Sequence, residues 1–281
     1  MIDTHIHLLK PDKFNYAWTA GFPSLAGRFD LSDYQKITQG LGIEAGVFME
    51  VDCEESASEA RHFCTLAEQP GSLTQVVVAA ARPESPDFEQ SLEVIAHPRL
   101  TGIRRVLHTQ PDELSQTSRF RENVNRLGRH GLTFDVCVLQ RQLPLVLELV
   151  RACPDTNFIL DHCGVPDISE NKAPAGEGFL SWQQSLRALA SEANVNAKIS
   201  GITAYAQPEL RHAQALRPYT DTMIDLFGPD RLVWGGDWPV VNLGNGLPAW
   251  IGITQELLAD LADSERKKIL TSTARRLYRI P

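Results

Sequence analysis

The stretch Ile2-Asp3-Thr4-His5-Ile6-His7 decides the fold class. In a dinucleotide-binding fold a glycine-rich turn would follow this first strand, whereas here the strand ends on two histidines. Short apolar runs alternate with longer helix-compatible segments along the 281 residues, which is typical of repeated βα units. Such a pattern suits an open doubly wound sheet or a closed barrel. No dinucleotide fingerprint follows this first strand. The sequence therefore predicts an α/β fold, a single (β/α)8 TIM barrel, in one domain over residues 1–281.

The carboxyl ends of the predicted strands should meet at one mouth of the barrel, where the catalytic groups of this fold lie. The strands are predicted over Ile2 to His7, Ala45 to Val51, Gln75 to Ala81, Gly102 to Leu107, Thr133 to Val138, Phe158 to His162, Asn196 to Ser200 and Leu232 to Gly236. Predicted helices include Glu54 to Glu68, Phe120 to His130, Leu143 to Cys153, Phe179 to Ala193, Pro218 to Phe227 and a closing helix over Asp263 to Tyr278. We expect the long loops Leu8 to Asp30 and Gly164 to Gly178 to form walls or lids.

Composition restricts the class of partner. A net charge of −8 with scattered Lys and Arg disfavours nucleic acid and anionic membranes, which both need a basic face. No apolar run approaches the roughly 20 residues of a membrane helix, and the first residues do not resemble a signal peptide. The five cysteines form no C-x-x-C pair, so we interpret them as reduced thiols. The sequence predicts a cytoplasmic protein that binds a small molecule, and it leaves the choice between monomer and homo-oligomer open.

The first candidate site residues are His5 and His7. Side chains alternate across a strand, so both imidazoles point the same way, into the predicted barrel. The alternative is a hydrogen-bonded pair of core histidines, since an isolated H-x-H motif has a high false-positive rate. The position of the pair at the end of the first strand favours a functional role.

Two further strand ends supply candidate catalytic groups. His162 follows an apolar strand and adds a third imidazole to the same mouth. Asp237 follows two glycines after the eighth strand, and we interpret it as a general base or a metal ligand. Taken singly, each has a structural alternative: a core histidine and a turn aspartate before Pro239.

Arg104 leads the candidates for substrate binding. In strand phase it faces the barrel interior, where its forked donors suit a carboxylate, a carbonyl or sugar hydroxyls, while Arg105 is expected to pair outside. Weaker candidates are His108, Arg141, Glu50, Trp18 and Trp238. The two tryptophans are placed to stack on a sugar ring, although simple packing is the commoner role of such side chains.

Four segments together resemble the amidohydrolase superfamily, of the amidohydrolase 2 type, over nearly the whole chain. They are Asp3-Thr4-His5-Ile6-His7, Leu160-Asp161-His162-Cys163-Gly164, Gly236-Asp237-Trp238-Pro239 and Thr273-Ala274-Arg275-Arg276-Leu277-Tyr278. The chain is most similar to the lactone hydrolases of that superfamily, a branch that includes fuconolactonase, rhamnonolactonase and 2-pyrone-4,6-dicarboxylate lactonase. The segments Asp135 to Pro144 and Lys198 to Gly201 strengthen this narrower resemblance.

The resemblance implies that His5, His7 and His162 surround a substrate carbonyl while Asp237 takes a proton from the attacking water. Metal-dependent members usually add a histidine from strand five, where this chain has Asp135 and Cys137. That departure argues against a two-metal centre. The predicted cofactor is therefore either none or one divalent metal, zinc first, held by His5, His7, His162 and Asp237.

The predicted function is hydrolysis of the lactone ring of a sugar acid. Alternatives left open are a sugar-lactone isomerase and a mononuclear zinc-dependent hydrolase or decarboxylase of the same superfamily. A barrel that binds a sugar derivative without converting it is the non-enzyme alternative. The intact set of strand-end His and Asp residues argues against that last possibility.

Overall fold

The computed structural model describes residues 1–169 and 176–281, and within these ranges the chain forms a barrel of parallel strands. The strands pair in chain order, each hydrogen-bonded to the next. They are β1 Ile2–Ile6, β2 Ala45–Met49, β3 Thr74–Ala80, β4 Leu100–Val106, β5 Thr133–Cys137, β6 Phe158–Leu160, β7 Val195–Ile199 and β8 Leu232–Trp234. The predicted (β/α)8 TIM barrel is confirmed.

Helices fill the connections between the strands and pack around the outside. They are α1 Leu31–Ile37, α2 Ser56–Ala67, α3 Phe88–Ile95, α4 Ser118–Leu127, α5 Leu143–Ala152, α6 Glu177–Ala190, α7 Ile202–Tyr205, α8 Ala213–Phe227, α9 Leu247–Leu257, α10 Asp263–Lys267 and α11 Thr273–Tyr278. A π-helical turn, Lys268–Ser272, joins α10 to α11. The prediction that a helix begins at Pro218 was wrong, because α8 begins five residues earlier and carries this proline inside it.

The barrel closes between β1 and the chain just after β8. The amide of Asp237 donates to the carbonyl oxygen of His5 at 2.9 Å, and the amide of His7 donates to the carbonyl of Trp238 at 2.8 Å. The side-chain hydroxyl of Thr4, which points outward from β1, donates to the carbonyl of Trp234 at 2.7 Å. This seam places the candidate histidines of β1 directly beside the candidate base that follows β8.

The C-terminal segment closes the opposite, amino-terminal end of the barrel. Ala274, Leu277 and Tyr278 pack with Ile2 and other buried side chains of the strands in one apolar cluster. The larger apolar cluster lies between the strands and the surrounding helices. One end of the barrel is thus filled with apolar side chains, which leaves the carboxyl-end mouth as the place for chemistry.

Every strand ends one or two residues earlier than the sequence predicts, and the turns after β6 and β8 bear on the candidate site. After β6 the backbone turns at Asp161, and His162 and Cys163 adopt left-handed conformations with φ of 52° and 55°. Asp237, after β8, likewise has a φ of 57°. Left-handed backbone is uncommon for non-glycine residues and concentrates at functional sites. The turn after β6 brings His162 into the barrel, although regular alternation from the inward Ile159 would direct it outward.

The two long loops that the sequence predicts as walls or lids are described to different extents. Leu8 to Asp30 folds back on itself through an antiparallel bridge between Leu9 and Phe29. Part of the second predicted lid, residues 170–175, lies outside the described residues.

Among the helices described, none combines the length and the apolar character needed to span a membrane. The five cysteines are all buried and free, as predicted.

Candidate active site

Three imidazoles and one carboxylate converge at the mouth of the barrel. Asp237 Oδ1 lies 3.4 Å from His7 Nε2 and 3.7 Å from His5 Nε2. Its second oxygen lies 4.0 Å from His162 Nδ1. All four residues are buried, and Asp237 is only 1% exposed. The structure therefore brings together the four residues that the sequence predicted as the catalytic group.

The carboxylate of Asp237 is unusual because neither of its oxygens has a hydrogen-bond partner in the part of the chain that the structure describes. A buried carboxylate without donors is costly, and native proteins rarely leave such groups unsatisfied unless a ligand, an ion or water completes them. Its surroundings are rich in imidazole nitrogens rather than in other acids. The Asp237 carboxylate is therefore placed to accept a proton or to bind a cation.

Hydrogen bonds fix the orientation of His7 and His162. His7 Nδ1 lies 3.0 Å from the carbonyl oxygen of Met49, which can only accept, so Nδ1 donates to this carbonyl and Nε2 faces Asp237. His162 Nδ1 lies 2.9 Å from the hydroxyl of Ser200. Burial lowers the pKa of His162 below its ordinary value.

A glycine makes room for this arrangement. Gly201 has a φ of 67°, and a Cβ atom there would collide with the imidazole of His162 and approach Asp237. Only glycine meets both demands without strain. The Lys198-Ile199-Ser200-Gly201 segment thus supplies both the hydroxyl that holds His162 and the gap into which its ring fits.

Asp3 anchors the backbone that carries Asp237. Its Oδ1 accepts from the amide of Gly236 at 2.7 Å and from the amide of His5 at 2.9 Å, while Oδ2 accepts from the hydroxyl of Tyr34 at 2.6 Å. Complete burial raises the pKa of Asp3 to about 6, although these three donors act in the opposite direction. Asp3 therefore positions both the backbone of β1 at His5 and the backbone of the turn after β8 at Gly236.

This raised pKa predicts a pH dependence of stability. The unfolded carboxyl titrates near its ordinary value of 3.8, so between about pH 4 and about pH 6 the native state holds more protons than the unfolded state. The contribution of Asp3 to the unfolding free energy is therefore present at acid pH and lost as the pH rises through 6. Relative to Asp3→Asn, the wild type should lose roughly 2 kcal/mol between about pH 4 and about pH 7.

Urea unfolding of both proteins across that range measures the difference. Asp225→Asn, on the exposed face of α8, provides a matched control for which the difference from wild type should not vary with pH. A constant gap between wild type and Asp3→Asn at all pH values would contradict the prediction.

Arg104 and Glu50 form a buried ion pair on the β2 and β4 side of the mouth. The guanidinium donates through Nε to the carboxylate of Glu50 and through Nη2 to its backbone carbonyl at 2.7 Å. Arg104 Nη1 lies 3.2 Å from His5 Nε2. Arg105 pairs instead with Glu84 at 2.7 Å. The predicted inward and outward directions of the two arginines are found in the structure.

Deeper in the barrel than the histidines lies a group of buried charged side chains, Lys198, Asp161 and Asp135, for which the sequence patterns predicted no role. Lys198 Nζ lies 2.8 Å from Asp161 Oδ1 and 3.0 Å from Asp135 Oδ1. The hydroxyl of Tyr278, from the C-terminal helix, donates to the same Asp135 oxygen at 2.6 Å. Although burial opposes its charge, Asp161 and Asp135 raise the pKa of Lys198. The signal available in the sequence is a lysine between two apolar residues, Ala197 and Ile199, within a predicted interior strand.

His108 and Cys137 lie beside this cluster. His108 Nδ1 is 3.3 Å from the sulfur of Cys137, and burial together with the charge of Arg104 lowers the pKa of His108 to about 4. Burial raises the pKa of the Cys137 thiol well above its ordinary value. The thiol is therefore protonated at neutral pH and does not act as a nucleophile.

The remaining predicted binding residues lie apart from the cluster. Arg141 is 58% exposed and pairs with Asp112, although it lines a surface cavity together with Tyr205. Trp18 donates from Nε1 to the carbonyl of Val51 at 2.8 Å, which ties the first long loop to the end of β2. Trp238 is buried against Phe29 and Tyr34. Its ring packs in the core, so we do not propose a stacking role for it.

The donor set at the mouth fits one divalent metal ion. His5, His162 and Asp237 each offer a ligand atom, all within 4.8 Å of one another, and His7 Nε2 faces the same space. Imidazole and carboxylate are suitable zinc ligands, and the unpartnered Asp237 carboxylate would gain a cation. Asp135 of β5, in contrast, is held by Lys198 and Tyr278. Cys137, at the end of β5, offers its sulfur to a second group with Asp161 and His162, whose ligand atoms also lie within 4.8 Å of one another.

Comparison with known proteins gives relatives of similar length. An L-fucono-1,5-lactonase of Burkholderia ambifaria is 26% identical over 288 residues, covering 99% of this chain and 95% of the relative. A protein of Comamonas testosteroni described as a 2-pyrone-4,6-dicarboxylate hydrolase is 25% identical, covering 99% of this chain and 89% of the relative.

Solved structures and a family model agree with these matches. The crystal structure of an amidohydrolase from Burkholderia multivorans with bound zinc has a TM-score of 0.88 and 25% identity, covering 100% of this chain and 99% of that one. The model of the amidohydrolase family matches residues 2–280. The chain belongs to the amidohydrolase family.

Proposed function

We propose that the protein is a lactonase that opens the cyclic ester of a sugar acid by attack of water on the carbonyl carbon. The observation that carries the proposal is the buried carboxylate of Asp237, which has no hydrogen-bond partner among the described residues and is surrounded by His5, His7 and His162. The lactonase name of the full-length Burkholderia ambifaria relative supports it.

Asp237 acts as the general base in this proposal. It accepts one proton from water as the oxygen bonds to the lactone carbonyl carbon, which places negative charge on the carbonyl oxygen. Imidazole N–H groups and the guanidinium of Arg104 stabilise that charge. Collapse then breaks the ring C–O bond, and the alkoxide takes the proton from Asp237. The product is the ring-opened hydroxy acid.

Burial strengthens this chemistry. The histidines and Arg104 are at most 5% exposed, so charges develop in surroundings of low dielectric constant where fixed donors have large effects. An alkoxide leaves more readily than an amine, so a lactone needs less assistance than an amide.

One divalent ion also fits the site, and the zinc in the Burkholderia multivorans structure supports this possibility. His5, His7, His162 and Asp237 would hold it. Bound there, it would supply Lewis-acid polarisation of the carbonyl.

A screen of aldonolactones and aldarolactones tests the proposed function. We expect release of one equivalent of acid per lactone consumed, measured with a pH indicator, and a ring-opened product by NMR. A new lactone without acid release would identify an isomerase. Loss of carbon dioxide would identify a decarboxylase, and binding without turnover of any lactone would leave only the carbohydrate-binding alternative.

A further inference from the structure

Tyr205 is a partly exposed aromatic residue at the mouth of the barrel, where it ends α7, the short helix after β7. Its ring centroid lies 6.1 Å from that of His162, and the two ring planes are tilted by 46°. Tyr205 is 41% exposed, whereas the three histidines and the aspartate of the catalytic cluster are at most 4% exposed. An aromatic ring left open beside buried catalytic groups is a surface that a ligand can cover.

Contacts on two sides hold α7 between the segments that follow β6 and β8. The amide of Gln207, just after α7, donates to the carbonyl of Ile168 at 3.2 Å, in the segment after β6. Gly244, in the segment after β8, packs against the backbone of Thr203, where an added Cβ atom would lie only 2.7 Å from the carbonyl oxygen. The backbone that carries Tyr205 is therefore fixed relative to both halves of the catalytic cluster.

The hydroxyl end of Tyr205 lies on the inner side, towards the catalytic carboxylate. Burial raises the pKa of the phenol, and the charge of Asp237 acts in the same direction while that of Arg104 opposes it. Among the described residues the hydroxyl has no hydrogen-bond partner. A phenol is protonated at neutral pH, so this hydroxyl can donate to a ligand.

Tyr205 also lines a cavity of about 620 Å³ beside the mouth. The segments after β5 and β6 and the first turns of α6 form the other walls, with Arg141, Val165 and Ser181 among the lining residues. Sites for small molecules commonly have volumes of roughly 300–1,000 Å³ and mix apolar walls with a few hydrogen-bonding groups. The cavity therefore suits a short carbon chain that carries hydroxyl groups.

We propose that Tyr205 is a specificity-determining residue that binds the lactone directly. Its hydroxyl donates to the ring hydroxyl on the carbon next to the carbonyl, and the exocyclic carbons of the sugar acid extend past its ring into the cavity. The proposal rests on the proposed function, which places the carbonyl beside Asp237. The substrate class that meets both contacts is an aldonolactone with a hydroxylated exocyclic chain.

Tyr205→Phe tests the hydroxyl contact, because it removes the hydroxyl and keeps the ring. For the aldonolactone that the wild type hydrolyses best, we expect kcat/KM to fall about tenfold, since one hydrogen bond to the substrate is lost. The wild type should lose a similar factor on the 2-deoxy form of that lactone, and Tyr205→Phe should lose nothing further. An equal effect of the substitution on both lactones, or no effect on either, would overturn the proposal.

Tyr219→Phe is the matched control. Tyr219 packs against Phe179 and Trp182 on the helices outside the barrel, so loss of its hydroxyl should leave kcat/KM unchanged. The thermal unfolding midpoint of Tyr205→Phe should equal that of the wild type, because no hydrogen bond within the described residues is lost.

Ser181→Leu tests the cavity by narrowing it. We expect kcat/KM to fall for a lactone that carries exocyclic carbons and to stay unchanged for one that lacks them. An equal effect on the two lactones would show that the exocyclic chain lies elsewhere and would overturn this part of the proposal.

Binding of an analogue that resists hydrolysis separates this proposal from the proposed function. Titration calorimetry compares an aldonolactam with its 2-deoxy form, on the wild type and on Tyr205→Phe. We expect the wild type to bind the lactam about tenfold more tightly than Tyr205→Phe does, and the 2-deoxy lactam to bind equally to both. Equal affinities for the first lactam, or no binding to the wild type, would overturn the proposal even if lactones are hydrolysed. The expected affinities without hydrolysis of any lactone would count against the proposed function alone.

Discussion

Asp237→Asn is expected to reduce kcat for lactone hydrolysis by about 10³-fold or more, because a positioned general base contributes about 10²- to 10⁴-fold and this one is central to the site. An amide of the same shape cannot accept the proton of the attacking water. The native side chain makes no hydrogen bond within the described residues, so few structural contacts are lost. Asparagine also tolerates the left-handed backbone found at this position.

The measurement is kcat and KM for the best lactone of the screen, together with the thermal unfolding midpoint. KM and the midpoint should stay close to the wild-type values, which separates loss of the base from loss of the fold. Asp225→Asn, the same substitution on the exposed face of α8, should leave kcat unchanged. Residual activity of Asp237→Asn within tenfold of wild type would show that another group removes the proton.

Arg104→Met should have the largest effect on stability. It leaves the buried carboxylate of Glu50 without its guanidinium partner, and breaking a buried pair in this way costs about 3–5 kcal/mol of unfolding free energy. Glu50→Gln leaves the opposite charge buried and should also be strongly destabilising. The double variant removes both charges, so its loss should be smaller than the sum of the two single losses by about 2 kcal/mol or more.

Urea unfolding of the four proteins completes this double-mutant cycle. The exposed pair of Lys268 and Asp230 is the matched control, since exposed pairs contribute only about 0–1 kcal/mol. Additive losses for Arg104 and Glu50 would mean that the buried contact contributes no coupling energy. Turnover is expected to fall in Arg104→Met, because the guanidinium also faces His5.

Local sequence patterns were sufficient to predict the barrel and the convergence of His5, His7, His162 and Asp237 at its mouth. Alternation along β1 fixes His5 and His7 on one face, and parallel strands bring their carboxyl ends to one mouth. His162 and Asp237 follow strands, so they had to arrive at that mouth. The choice of Arg104 over Arg105 as the inward residue rests on the same alternation.

Loop residues were harder to place, because no periodic pattern restricts where their side chains point. Trp238 turns its ring into the core against Phe29 and Tyr34, and Arg141 pairs with Asp112 at the surface. Both were predicted as substrate contacts from their position after a strand. Their actual neighbours come from other loops, whose paths the sequence does not reveal.

The sequence by itself determined the strand order, the face of each strand and therefore the identity of the residues at the mouth, because these follow from short-range periodicity. Only the tertiary structure decided how those residues are supported. Lys198 meets His5 across 193 positions of chain, and Tyr278 meets Asp135 across 143. Such contacts depend on barrel closure and on side-chain packing in three dimensions, and they decide the charged surroundings of His5 that its position in β1 leaves open.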